Sequence, residues 1–125
     1  MTLRPRIGLI AAIALMATAG NVSAQSVEAG EKVFRQRCMT CHGLGAMADY
    51  SPGPAIAGIA GRPIASLSNY DYTAGLKTVR GTWSAKALDA FLKHPEAFAP
   101  GTSMALALPD DKERRDLIAY LQTLR

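Results

Sequence analysis

Both cysteines of the chain lie in one pentapeptide, Cys38-Met39-Thr40-Cys41-His42. Two thiols leave no material for a disulfide framework or a four-sulfur zinc site. Spaced in this way and followed directly by an imidazole, they suit thioether attachment to the two vinyl groups of one haem. His42 then lies beneath the iron as proximal ligand. The pentapeptide taken alone is also compatible with zinc binding or dithiol redox chemistry.

The N-terminus bears on which chemistry is available. Arg4 and Arg6 form a short basic region, Ile7 to Met16 is continuously apolar, and Val22-Ser23-Ala24 precedes Gln25 as a small-residue cleavage site. An earlier cut after Ala17-Thr18-Ala19 and a retained membrane anchor are the alternatives. From Ile7 to Ala19 the run has 13 residues, short of the roughly 20 that span a bilayer. The expectation is a cleaved signal peptide over residues 1–24 and a periplasmic domain over 25–125. Export also suits covalent haem attachment, which bacteria carry out beyond the cytoplasm.

About 100 residues remain, one small domain whose apolar core is marginal unless a bound group completes it. Losing Arg4 and Arg6 takes the 14 basic residues to 12 against 10 acidic ones, a mature charge of about +2. Charge so low and scattered excludes a nucleic-acid footprint.

The periodicity predicts three helices. Val27, Gly30, Val33 and Phe34, with Arg37 following, recur at helical spacing and lead into the cysteine motif. Ser84 caps a second helix with an apolar face of Ala87, Leu88, Phe91 and Leu92, stopped before Pro95. Asp110 and Glu113 resemble a capping box opening a third, with Leu117, Ile118, Leu121 and Leu124 as its stripe. Between Gly43 and Gly81, seven glycines and three prolines with no sustained period predict mostly loop. No strand pattern stands out, and the fold class read from the chain is all-α.

A haem held from one side by His42 needs a group, or an open position, on the other. The candidates are Met39, Met47, His94 and Met104. Met39 sits inside the attachment loop, Met47 follows His42 by only five residues, and His94 precedes Pro95 at a helix end facing solvent. Met104 lies in the turn Pro100-Gly101-Thr102-Ser103-Met104. It reads either as a core filler or as a well-held ligand.

Pro-Gly-Thr-x-Met following C-x-x-C-H resembles class I cytochromes c, in particular the mitochondrial cytochrome c and bacterial cytochrome c2 branch. The resemblance covers essentially the whole mature chain. It implies a small single-haem fold with the N- and C-terminal helices packed around a covalently bound haem c. Gly30 and Phe34 match positions that pack on an aromatic of the last helix, here Tyr120. Pro54 matches the residue whose carbonyl accepts the hydrogen bond of the ligand imidazole. Arg62, Tyr72 and Trp83 match positions around a haem propionate. Their plainer readings are a solvated charge, a tyrosine with Tyr70 as rival, and an ordinary core indole; for Pro54 it is turn chemistry.

This chain also departs from that branch. Phe91 stands where a tyrosine is common, and Leu76 replaces a polar side chain near a buried water, which implies a drier distal side. Glu96, Asp110 and Asp111 fall where mitochondrial cytochromes carry lysines around the exposed haem edge, and Ser103 replaces another. A lysine ring steers docking onto acidic partners, so the usual partners are not implied.

The reading is an exported monohaem electron carrier ligated by His42 and Met104 and attached through Cys38 and Cys41. It is expected to be a monomer that meets redox proteins, and a membrane only if its N-terminal segment is retained. The alternatives are a cytochrome subunit or dedicated acceptor of a periplasmic dehydrogenase, and a haem enzyme such as a peroxidase, or a gas sensor, with a labile distal ligand.

Overall fold

The computed structural model describes residues 25–125, so the export segment expected over residues 1–24 lies outside the described residues. Five helices follow in order: α1 (Val27–Arg37), α2 (Ala74–Thr78), α3 (Ala85–Lys93), α4 (Pro95–Phe98) and α5 (Asp111–Leu121). A 3₁₀ helix spans Gly45–Tyr50, and the pairing of Pro63 with Thr82 is an isolated bridge. The all-α expectation is met. Among the described residues, no helix is long and apolar enough to cross a membrane.

Each long helix starts where a side chain satisfies a free backbone N–H. Ser26 Oγ accepts from Ala29 N at 3.1 Å, Ser84 Oγ from Ala87 N at 3.1 Å, and Asp110 Oδ1 from Glu113 N at 2.8 Å. The last of these is one half of the expected capping box. α3 ends at Lys93, before Pro95, because a residue preceding proline is pushed out of the helical region.

α1 and α5 pack across each other at Gly30, which lies against the backbone of Asp116 and the Cβ of Tyr120. One turn on, the Phe34 and Tyr120 rings meet at 5.5 Å between centroids. Ser26 N donates to Asp116 Oδ1 at 2.9 Å, tying the start of α1 to the middle of α5. Phe34 and Leu117 are both 1% exposed, and each such side chain contributes about 1.5–3 kcal/mol by leaving water.

The structure adds to the expected pattern or differs from it in five places. The 43–81 stretch is mostly loop, as expected, but also holds the 3₁₀ helix and α2, and the stretch from Pro95 holds the single turn of α4. Val27 is 39% exposed despite its place in the apolar spacing. Leu124 lies beyond the end of α5, half-buried, with its carbonyl accepting from Gly58 N at 3.2 Å. Arg114 and Asp116 are buried within α5 at 2% and 3% exposure; an apolar-stripe reading of that helix does not anticipate them.

Candidate functional site

α1 runs straight into the cysteine motif. The amides of Cys38 and Met39 both donate to Phe34 O, and those of Cys41 and His42 both donate to Cys38 O, at 2.8–3.0 Å. This tight turn buries Cys38, leaves Cys41 exposed and directs His42 inward. Burial pushes the Cys38 thiol up to about 11, only partly offset by the neighbouring Arg37 charge.

His42 is held from behind. Its Nδ1 lies 2.9 Å from Pro54 O. A carbonyl only accepts, so Nδ1 carries the proton and Nε2 keeps its lone pair. Desolvation holds the imidazole below its ordinary pKa, with the Pro54 bond acting the other way. Gly53 makes room for this pose. A Cβ there would stand 2.6 Å from His42 Cε1 and 2.7 Å from Cys41 O.

Cys38, His42, Pro54, Arg62, Tyr72, Trp83 and Met104 line one cavity that is partly open to solvent. Cys41 lies instead at the open mouth, in a cleft it shares with Cys38, His42 and Met104. The walls between are apolar: Ile56 and Ile59 from the long loop, Leu76 from α2, Leu88, Phe91 and Leu92 from α3, and Leu117 and Leu121 from α5. Trp83 stacks on Phe98 at 5.8 Å and meets Phe91 at 5.2 Å, so the indole wall is fixed by two rings.

Of the four candidate distal groups, Met104 lines this cavity. Met39 and Met47 are 43% and 65% exposed. His94 is exposed and joins Met104 only in a shallow outer groove. The Met104 turn is held by Thr102 N on Ala99 O at 3.0 Å, Gly101 N on Glu96 Oε1 at 3.0 Å, and Met104 N on Thr102 Oγ1 at 3.3 Å. Gly101 takes a φ of 79°, a conformation costly for other residues.

Arg62 is half-buried and uses its guanidinium on backbone, donating to Ala55 O at 2.7 Å and Ala57 O at 3.2 Å. Burial lowers its pKa, with Tyr72 acting the other way. Thr73 was not evident from sequence. It stands at the N-cap of α2, yet its hydroxyl caps nothing and is buried without a hydrogen-bond partner among the described residues, and Thr73 lines the cavity. Its place directly after Tyr72 was the available signal. Asp110 and Asp111, expected near the exposed edge, line neither the cavity nor its mouth.

Two thiols, an imidazole with a free Nε2, a thioether, apolar walls, and the Thr73 hydroxyl and Arg62 in the same lining suit a flat apolar macrocycle bearing carboxylates. The model for the family described as cytochrome c matches residues 27–125. The chain belongs to the cytochrome c family. Cytochrome c of Tetrahymena pyriformis is 41% identical over 97 residues, covering 77% of this chain and 86% of that protein. Cytochrome c of Cannabis sativa is 38% identical over 96 residues, 76% of this chain and 86% of its own length. A bacterial relative, cytochrome c-type cyt cy of Rhodobacter capsulatus, is 36% identical over 98 residues, covering 78% of this chain and 48% of its own. This class I c-type cytochrome binds one covalently attached haem c and is an electron carrier, not an enzyme.

Proposed function

We propose that this cytochrome c is an exported, periplasmic, monomeric carrier passing single electrons between redox proteins. In this reading residues 1–24 are removed, Cys38 and Cys41 carry the thioethers, and His42 and Met104 are the axial ligands. The observation that carries it is the His42 Nδ1 to Pro54 O contact at 2.9 Å, across a cavity whose other candidate ligand is Met104.

Haem held by these residues would supply one-electron Fe(II)/Fe(III) chemistry, and the Met104 thioether would favour Fe(II) and so a higher potential. The chain's own residues do the rest. Pro54 fixes the His42 ring and raises its basicity. Leu76, Phe91 and Leu92 wall the cavity that Met104 lines and would keep water out of it, and with His42 and Met104 both committed to the group no position would be left for substrate. Arg62, Tyr72, Trp83 and Thr73 surround the polar end of the group.

Optical spectroscopy of the ferric protein tests the ligand assignment. Wild type is expected to show the weak sulfur-to-iron charge-transfer band, and Met104→Ala to lose it while haem stays attached on a denaturing gel. A band that survives in the variant overturns the assignment. Extraction of haem by acidified acetone from wild type overturns the thioethers. The mature N-terminus found by mass spectrometry in a periplasmic fraction, expected at Gln25, tests export.

A further inference from the structure

Arg114 has a buried guanidinium in which every nitrogen is used. Its side chain is 3% exposed. Nε donates to Asp89 Oδ1 of α3 at 2.8 Å, Nη2 to Asp111 Oδ1, and Nη1 to both Leu108 O and Pro109 O at 2.8 Å. The stretch it holds is the far end of the Met104 turn, which runs between two fully buried residues, Ala99 and Leu108.

The bonds that shape this turn all lie on the amino-terminal side of Met104. On the other side, the first backbone tie among the described residues is Leu108 N to Leu92 O at 2.8 Å. The two carbonyls beside that tie are those that Arg114 holds. Leu92 itself lines the cavity. One planar cation therefore joins α3, the start of α5 and the carboxyl end of the turn.

We propose that Arg114 is a positioning residue that anchors the Met104 turn from behind and so sets how firmly Met104 is held as a ligand. The proposal rests on the assignment of Met104 made above. Lysine cannot replace the fork, because one ammonium on a flexible stem cannot serve two carbonyls and two carboxylates lying in different directions. Loosening the far anchor leaves Leu108 N as the remaining tie and lets Met104 yield to a competitor.

The test is titration of ferric holoprotein with imidazole, read optically. Arg114→Lys is expected to tighten imidazole binding about tenfold, equivalent to about 1.4 kcal/mol, and to weaken the charge-transfer band. Asp89→Asn, which takes the charge from the Nε contact but keeps the carbonyl bonds, is expected to tighten binding about threefold and carries the test if Arg114→Lys does not fold. Asp116→Asn disturbs the α1–α5 contact on the other side of the helix and is the control for general destabilisation. Its imidazole affinity is expected to stay within about twofold of wild type.

Unchanged imidazole affinity in Arg114→Lys, or in Asp89→Asn where that variant carries the test, overturns the anchor. So does an equal gain in Asp116→Asn at matched loss of stability. Met104→Ala separates the two assignments. If it leaves imidazole affinity and the band untouched, the ligand assignment fails and takes the anchor with it. If it changes both while Arg114→Lys and Asp89→Asn change neither, the anchor alone is wrong.

Discussion

Gly30 and Asp116 meet backbone to backbone: a Cβ on Gly30 would stand 1.9 Å from the Asp116 carbonyl oxygen and 2.5 Å from its carbon. No side chain fits between α1 and α5 at this crossing, and the obstruction is backbone that cannot swing away. Gly30→Ala should therefore push the helices apart and cost about 3 kcal/mol or more, at the upper end of overpacking effects. The denaturant midpoint of the holoprotein measures this. A midpoint equal to wild type would show that the crossing is softer than its geometry.

A methyl group on Gly53 would collide with the His42 ring and with Cys41 O. Gly53→Ala should tilt the imidazole and stretch its bond to Pro54 O. A less basic ligand stabilises Fe(III) less, so the reduction potential should rise relative to wild type. A redox titration checks this, and a potential that falls or stays level would argue against the Pro54 bond as a tuning contact.

Asp116 links acid stability to the same helix pair. Lys112 Nζ at 2.6 Å holds its carboxyl below the ordinary value of 3.8, burial opposes this, and Ser26 N adds to the lowering. The folded pKa lies below the unfolded one. The stabilisation is thus present above about pH 4 and is lost as pH falls through the depressed folded value. The stability gap between wild type and Asp116→Asn should be widest near neutrality and shrink below about pH 4. Denaturant midpoints against pH test this, and a constant gap would contradict it.

Much of the fold was legible because its long helices carry their own punctuation. Ser84 and Asp110 cap the helices they were expected to cap, and Gly30, Phe34 and Tyr120 meet as the family resemblance implied. The short elements were not legible. α2 buries only Leu76 and has no period to read; its helical form depends on what surrounds it. Arg114 and Asp116 look like solvated charges on a polar helix face until Asp89, Leu108 and Ser26 arrive from distant parts of the chain. The ligand candidates could be ranked by turn chemistry, whereas the unpaired hydroxyl of Thr73 emerges only once its surroundings are closed.

The docking face should respond weakly to salt. The mouth of the cavity is lined by apolar Pro52, Ala105 and Leu106, with Arg37 the one Lys, Arg, Asp or Glu among the described residues that line it. Exposed Lys93 and Lys112 lie close in sequence to Glu96, Asp110 and Asp111, so their fields partly cancel. Association with the native redox partner should slow less than about threefold between low and physiological ionic strength, where the Debye length falls to about 8 Å. Stopped-flow electron transfer across a salt series measures this. A steep decline would place a basic patch elsewhere, with Lys32, Arg35 and Lys86 the first residues to neutralise.

Glu96 has two readers. On the outer rim it contributes negative charge to any protein that approaches the groove beside Met104, while its Oε1 receives the Gly101 amide and shapes the turn. Reversing that charge to suit an acidic partner removes the acceptor in the same step. A change of partner preference made at this glutamate therefore reaches the backbone of the Met104 turn, and rim charge and turn shape are coupled through one carboxylate.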